Sequence, residues 1–301
     1  VPEAILSIQN LTKHFGPIKA VNGLSLEVGK GDVFGILGPN GSGKTTTLGM
    51  ILNVVNPTAG SFTWFGLPPS HHDRKRIGAI LEQPLFYPYL SPLQNLRIIA
   101  LIKEVDVTEE MMAEQLRQVG LYDRRHSRFS TFSYGMKQRM ALAAALLCKP
   151  EVLILDEPTN GLDPQGIAEV RQIIHQVASQ GVTIILASHL LDEVQKTCSH
   201  VCVLDKGYKL YAGSVEEVLR ETVMAEIAAP DMEKLSDALG NTDIVSSFER
   251  HQDMIVVKLA NAKTSSELNA YLFSRGIVLS HLVQKKKSLE NYFLELVNKN
   301  K

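Results

Sequence analysis

The eight residues Gly38-Pro39-Asn40-Gly41-Ser42-Gly43-Lys44-Thr45 constrain this chain more than any other stretch. They follow the short apolar run Val33 to Leu37 and lead into helix-forming residues from Thr45 to Val55, which stop before Pro57. Strand, glycine-rich loop and helix in that order make a phosphate-loop pattern. Gly38, Gly41 and Gly43 let the backbone curl so that successive N–H groups face an anion, and the following helix adds partial positive charge at its start. In such a loop Lys44 reaches the β- and γ-phosphates and Thr45 holds Mg²⁺, while Asn40, Ser42 and Thr46 complete the cradle. An ordinary glycine-rich turn is the competing reading, and it does not require eight matching positions in this context.

A second segment supplies carboxylates. Val152, Leu153, Ile154 and Leu155 form a continuous apolar run that ends in Asp156-Glu157. A strand buried on both faces reads this way, and it delivers whatever follows it to one end of a sheet. Asp156 suits an outer ligand of Mg²⁺, and Glu157 suits a general base that polarises an attacking water. Alone, such a pair is as readily a solvated strand end; behind a phosphate loop it has work to do.

Around these motifs strand and helix alternate. Two extended segments lie between Ile5 and Val28 with a turn at Gly16-Pro17, and Ile77 to Leu81 and Val182 to Ala187 are further strands. Ser91 to about Leu147 is mostly helical, and Val170, Ile173, Ile174 and Val177 keep helical spacing before Gly181. The order predicts an α/β domain with a mainly parallel central sheet. Ser214 with Glu217 resembles a capping box opening a helix near residue 220. Beyond it, residues 223 to 301 read as strand, helix, two strands (the second at Ile255, Val257, Leu259), helix, strand (Val278 to Leu282) and terminal helix, the split βαβ order of a ferredoxin-like domain. With 301 residues and ~100 to 200 per domain, two domains are expected, 1–220 and 221–301.

Composition excludes more than it proposes. The net charge of -1 provides no basic field for nucleic acid and no polybasic leash for anionic lipid. The longest apolar stretch, Met140 to Cys148, falls far short of the ~18 to 20 residues a spanning helix needs. No basic and then apolar series after Val1 marks a secretion signal. Cys148, Cys198 and Cys202 lack zinc-site companions and read as reduced, packed thiols.

The segment Phe132-Ser133-Tyr134-Gly135-Met136-Lys137-Gln138-Arg139, shortly before the second motif, resembles the signature of ABC ATPases. Asn160-Gly161-Leu162-Asp163 is similar to that family's D-loop, His189 to its switch histidine and Gln83 to its Q-loop glutamine, and Phe15 stands where the family stacks an aromatic on adenine. These matches keep family order over about residues 5 to 220. The resemblance implies a phosphate-loop NTPase of the ABC type, with a mainly parallel core sheet, an antiparallel β subdomain and a helical subdomain at about 84–148. It implies ATP and Mg²⁺ as cofactors, with Glu157, His189, Lys44 and Gln83 in catalysis and Thr45, Gln83 and Asp156 toward the metal. Phe15, Asp163, Ser133 and Gly135 complete the nucleotide contacts. Plainer readings stand beside these: Asp163 before Pro164 is a good helix cap, His189 could cap the next helix, Phe15 could be core and Gln83 a surface amide.

Ser133 and Gly135 open a helix from about Met136, whose first amides offer an anion site. The family resemblance implies that this site meets ATP bound by another copy. With one phosphate loop and one signature per chain, two copies face each other head to tail, a homodimer in preference to a heterodimer. A separate transmembrane permease subunit is the other partner, which puts the chain peripherally at the cytoplasmic side of the cell membrane. Tyr134 and Met136 depart from the family's usual Gly and Gln, which puts the rate of hydrolysis in question. Phe86, Tyr87, Tyr89 and Leu90 form an apolar loop where the family docks its membrane subunit, with packing of the helical subdomain as the alternative. The closing Ser288 to Leu296 resembles the last helix of ATP subunits of drug and polysaccharide exporters. A soluble ABC-type ATPase acting on ribosomes or DNA, an ATP-gated module without hydrolysis and a phosphate-loop kinase remain as other readings.

Overall fold

In the computed structural model, the described residues are 4–70, 72–81, 85–220, 223–260, 263–286, 289, 290, 292, 293 and 296. Gln83 and its neighbours Glu82 and Pro84 lie outside them, as does much of the closing segment 288–296. The chain divides into two compact units, Val1–Ala212 and Gly213–Lys301.

The first unit opens with β1 (Ala4–Phe15) and β2 (Ile18–Gly29), an antiparallel pair turned at Gly16-Pro17. The chain continues through β3 (Val33–Leu37), α1 (Lys44–Ile51), β4 (Ala59–Trp64), α2 (Asp73–Arg76), β5 (Ile77–Ile80) and the helices α3 (Pro92–Ile102), α4 (Glu109–Gln118) and α5 (Tyr134–Leu146). It returns through β6 (Val152–Asp156), α6 (Pro164–Ser179), β7 (Thr183–Ser188), α7 (Leu191–Thr197), β8 (His200–Asp205) and β9 (Tyr208–Ser214). One sheet has the order β5-β6-β7-β3-β8-β9, and the ladders from β5 through β8 are parallel. A smaller antiparallel sheet has the order β2-β1-β4.

Every residue of β3, β6 and β7 is buried, as their uninterrupted apolar runs predict for parallel strands covered on both faces. One contiguous core joins the sheets, with Leu11, Val21, Phe34, Trp64 and Ile154 among its members. Trp64 satisfies its indole by donating to the Ile51 carbonyl at 2.8 Å, which ties β4 to the end of α1. The alternation of motifs did not single out β4, β8 or β9. α1 also stops earlier than Val55, because Asn53 takes a left-handed φ of 55° and the N–H groups of Val54 and Val55 fold back onto the Gly49 carbonyl.

In the second unit, α8 (Val215–Arg220) precedes β10 (Val223–Ala228), α9 (Met232–Gly240), β11 (Val245–His251), β12 (Met254–Leu259), α10 (Ser265–Ser274) and β13 (His281–Lys286). Its antiparallel sheet has the order β11-β12-β10-β13, the split βαβ arrangement expected from the sequence. Asp231 caps α9, and Thr264 with Glu267 forms a full capping box on α10. The Ser214 hydroxyl, by contrast, accepts from Glu216 N–H, two residues on. The last strand begins at His281 rather than Val278; before it Val278 is exposed, Ile277 is buried in the core and Leu279 packs against it.

Candidate nucleotide site

The loop between β3 and α1 is built for close approach of its own backbone. Gly43 has φ +104°, and a Cβ placed there would lie 2.4 Å from the Ala20 carbonyl oxygen. At Gly38 a Cβ would lie 2.3 Å from the Leu204 carbonyl and 2.4 Å from Ser42 Oγ. No side chain fits at either position, so the loop hugs β2 and β8. Ser42 is buried, whereas Asn40, Gly41 and Thr45 are exposed and Thr46 is half-buried.

Lys44 is buried at 5% exposure and aims back through the loop. Its Nζ donates to the Gly38 carbonyl at 2.8 Å and to Pro39 at 3.3 Å, and lies 3.3 Å from Glu157 Oε1. A buried ammonium needs such partners, because burying an unpaired charge is prohibitively costly.

Glu157 follows directly on the buried Asp156 at the end of β6. Its N–H still continues the ladder to Ala187 at 2.9 Å, but its φ is +48°, a left-handed conformation that strains a residue bearing a side chain by ~1 to 3 kcal/mol. The chain therefore leaves the strand direction at this residue. His189, just past the end of the adjacent β7, sets Nδ1 2.8 Å from Glu157 Oε2. α7 is capped at Leu190 without a side-chain bond, so His189 is not the cap of that helix. Lys44, Glu157 and His189 thus converge, brought together by three strands of one sheet. The Lys44–Glu157 pair was not foreseen in the motifs taken one at a time.

Phe15 ends β1, half-exposed, with Lys13 Nζ 4.9 Å from its ring centre; it is not a core aromatic. Its hairpin leads through β2 to Ala20, the residue whose carbonyl abuts Gly43.

Ser133 and Asp163 form a second locus. Ser133 caps α5 by accepting from Met136 N–H at 3.3 Å, and Asp163 caps α6 by accepting from Gly166 N–H at 2.9 Å, with Pro164 opening that helix. α5 starts at Tyr134, two residues before the expected Met136. A cavity of about 430 Å³ lies between the two helix starts, lined by Ser133, Tyr134, Gly135, Gly161, Leu162 and Asp163 among others. The sequence marked both helix starts; their shared cavity it did not show.

The donors near the loop also fit a magnesium ion in kind. The Thr45 hydroxyl and the Asp156 carboxylate are hard oxygen ligands, and Mg²⁺ takes one or two such protein groups beside phosphates and water. Among the described residues no group of three or more His, Cys, Asp or Glu converges on a metal position. Cys198 and Cys202 are free and buried, and burial pushes the Cys198 thiol up and the Cys202 thiol up to about 12.

A phosphate loop between strand and helix, with strand-end carboxylates beside it in a parallel sheet, defines a phosphate-loop nucleotide hydrolase. The ABC transporter family profile matches residues 21–160. The bacitracin transport ATP-binding protein BcrA of Bacillus licheniformis is 36% identical, with 97% of each chain covered. The lantibiotic transport ATP-binding protein SrtF of Streptococcus pyogenes is 37% identical over 74% of this chain and 99% of its own. The structure of cbiO1 from Clostridium perfringens, part of the ABC transporter complex cbiONQ, superposes with a TM-score of 0.66 at 28% identity, covering 72% of this chain and 90% of that one. The chain belongs to the ABC transporter family, as an ATP-binding subunit that hydrolyses ATP to drive transport. No helix among the described residues is long and apolar enough to cross a membrane.

Proposed function

We propose that two copies of this chain close head to tail on ATP, beneath the membrane subunit of an exporter, on the cytoplasmic side of the membrane. The observation that carries this reading is that the loop with Lys44, Glu157 and His189, and the cavity between Ser133 and Asp163, share no lining residue, so one copy presents two complementary halves. Each nucleotide is held by the loop of one copy and the α5 start of the other. The names of the relatives, bacitracin and lantibiotic transport, favour export of peptide-like antimicrobial compounds.

Within a site, the loop amides and Lys44 bind the phosphates, and Thr45 and Asp156, with Gln83, hold Mg²⁺, which neutralises phosphate charge when bound. Glu157 orients water and accepts its proton, and His189 fixes the carboxylate by the 2.8 Å contact at Oε2. Phe15 offers its exposed ring to the base. Asp163 and Ser133 present their helix starts to the other copy's nucleotide.

The membrane subunit docks on the helical subdomain, within 84–148. Tyr87 and Tyr89 are exposed with ring centres 6.0 Å apart, and Phe86 packs on Phe129. The second compact unit, with the 221–301 domain, is accessory to the ATPase.

Phosphate release and ATP-dependent dimerisation test the central claim. Wild-type turnover that disappears in Glu157→Gln, with dimers accumulating on ATP, is the expected result. Full-speed hydrolysis by isolated single copies would refute it. For the docking surface, Tyr87→Ala and Leu90→Ala should lower membrane-subunit binding and transport-coupled hydrolysis; unchanged values would exclude it.

A further inference from the structure

We propose that Tyr134 is a positioning residue, a strut that couples the start of α5 to the 160–163 turn so that both surfaces presented to the other copy's nucleotide move as one. The inference rests on the head-to-tail dimer proposed above. Tyr134 is a departure from the signature that this segment resembles, and the residue is 42% exposed. The ring lies alongside Gly161, where an added Cβ would stand 3.5 Å from Tyr134 Cε1 and 4.0 Å from Cζ. Gly161 has φ +75°, so the turn both favours glycine and leaves its α-carbon bare to receive the ring. The two segments also run close beside this point, since a Cβ on Gly135 would stand 3.6 Å from Leu162 Cδ2.

Both ends of this bridge are anchored. Ser133 caps α5 and Asp163 caps α6, so neither helix start is free to fray. The turn is also tied to the catalytic carboxylate's own backbone, through Asn160 N–H to the Glu157 carbonyl at 3.1 Å and Leu162 N–H to Thr159 at 3.3 Å. Displacement of the α5 start therefore passes through the ring to Gly161 and along a short hydrogen-bonded turn to Glu157. With only Gly at 134 this lateral contact is lost, while the caps remain.

The full-length chain tests the strut through Tyr134→Ala, which removes the ring while sparing the helix, and Tyr134→Phe, which keeps the contacting ring carbons. Three measurements are needed: ATP affinity of single copies, ATP-driven dimerisation in the Glu157→Gln background, and kcat with KM. Expected for Tyr134→Ala are unchanged single-copy affinity, dimerisation weakened about five- to tenfold, and a fall in kcat without a matching rise in KM, all restored by Tyr134→Phe. Dimerisation and kcat like the wild type in Tyr134→Ala, or failure of Tyr134→Phe to restore them, would overturn the strut alone. Absence of any ATP-dependent dimer in the Glu157→Gln parent would overturn the dimer reading and the strut with it.

Discussion

His189 holds Nδ1 2.8 Å from Oε2 of Glu157, a contact between residues just past the ends of two neighbouring parallel strands. The second oxygen of that carboxylate faces Lys44 at 3.3 Å, so the proposed base is oriented from both sides. Glu157→Gln should cut phosphate release by about 10² to 10⁴ while leaving ATP binding intact, the loss a positioned base accounts for. His189→Ala should fall in the same direction by less, because it frees the carboxylate without removing it. Single-turnover phosphate assays beside equilibrium ATP binding separate the two effects.

Gly43→Ala places a methyl 2.4 Å from the Ala20 carbonyl at a left-handed φ of 104°. Destabilisation of ~1 to 3 kcal/mol or more is expected, together with loss of nucleotide affinity. Gly16→Ala is the control, since its φ is +57° but nothing lies within 4 Å, leaving only a conformational cost of ~1 kcal/mol. Urea midpoints of the two variants should differ accordingly.

Asn95 is 2% exposed and staples the 87–91 loop to α3 by accepting from Tyr87 N–H at 2.9 Å and donating to Tyr87 and Ser91 carbonyls. Asn95→Ala leaves those groups without the partner and should cost ~1 to 3 kcal/mol. Transport-coupled hydrolysis should drop more than the hydrolysis of the purified chain, because the exposed tyrosines lose their anchored loop. Equal losses in both assays would argue against a docking role for the loop.

Asp163 caps α6, so Asp163→Ala should destabilise by ~1 kcal/mol. Asp163→Asn retains the cap and the stability. If hydrolysis falls in both variants, Asp163 serves the nucleotide as well as the helix; if only Asp163→Ala is impaired, capping is its whole role.

Arg76 and Glu151 form a two-pronged pair at 2.6 and 3.0 Å, joining the foot of β5 to that of β6. The hydrogen bonds from Arg76 hold the Glu151 carboxyl below its ordinary value of 4.5. A depressed folded value means the stabilisation is complete above about pH 4.5 and disappears as pH falls through the folded value. Glu151→Gln should therefore lower the urea midpoint near neutral pH and match the wild type in strong acid. Both side chains are largely exposed, which limits the effect to under ~1 kcal/mol.

The phosphate loop was legible because its chemistry is local: the amides that face an anion belong to consecutive residues, and strand and helix on either side follow from composition over a few positions. The same holds for the caps at Ser133 and Asp163 and for the apolar runs of β3, β6 and β7. Strand order was not legible, since wholly buried parallel strands have no polar face to mark register or neighbour. β4 and β9, short and half-exposed, carry little pattern of their own and are strands because partners pair with them.

By itself, then, the amino-acid order determined which residues bear chemistry and which local shapes they take, because backbone conformation answers to nearest neighbours. Only the tertiary structure decided that β7 stands between β6 and β3, which carries Glu157 and His189 to Lys44, and that the Tyr134 ring lies alongside the turn at Gly161. Those meetings depend on side-chain packing between segments far apart in the chain, and no spacing along it encodes a distance across the fold.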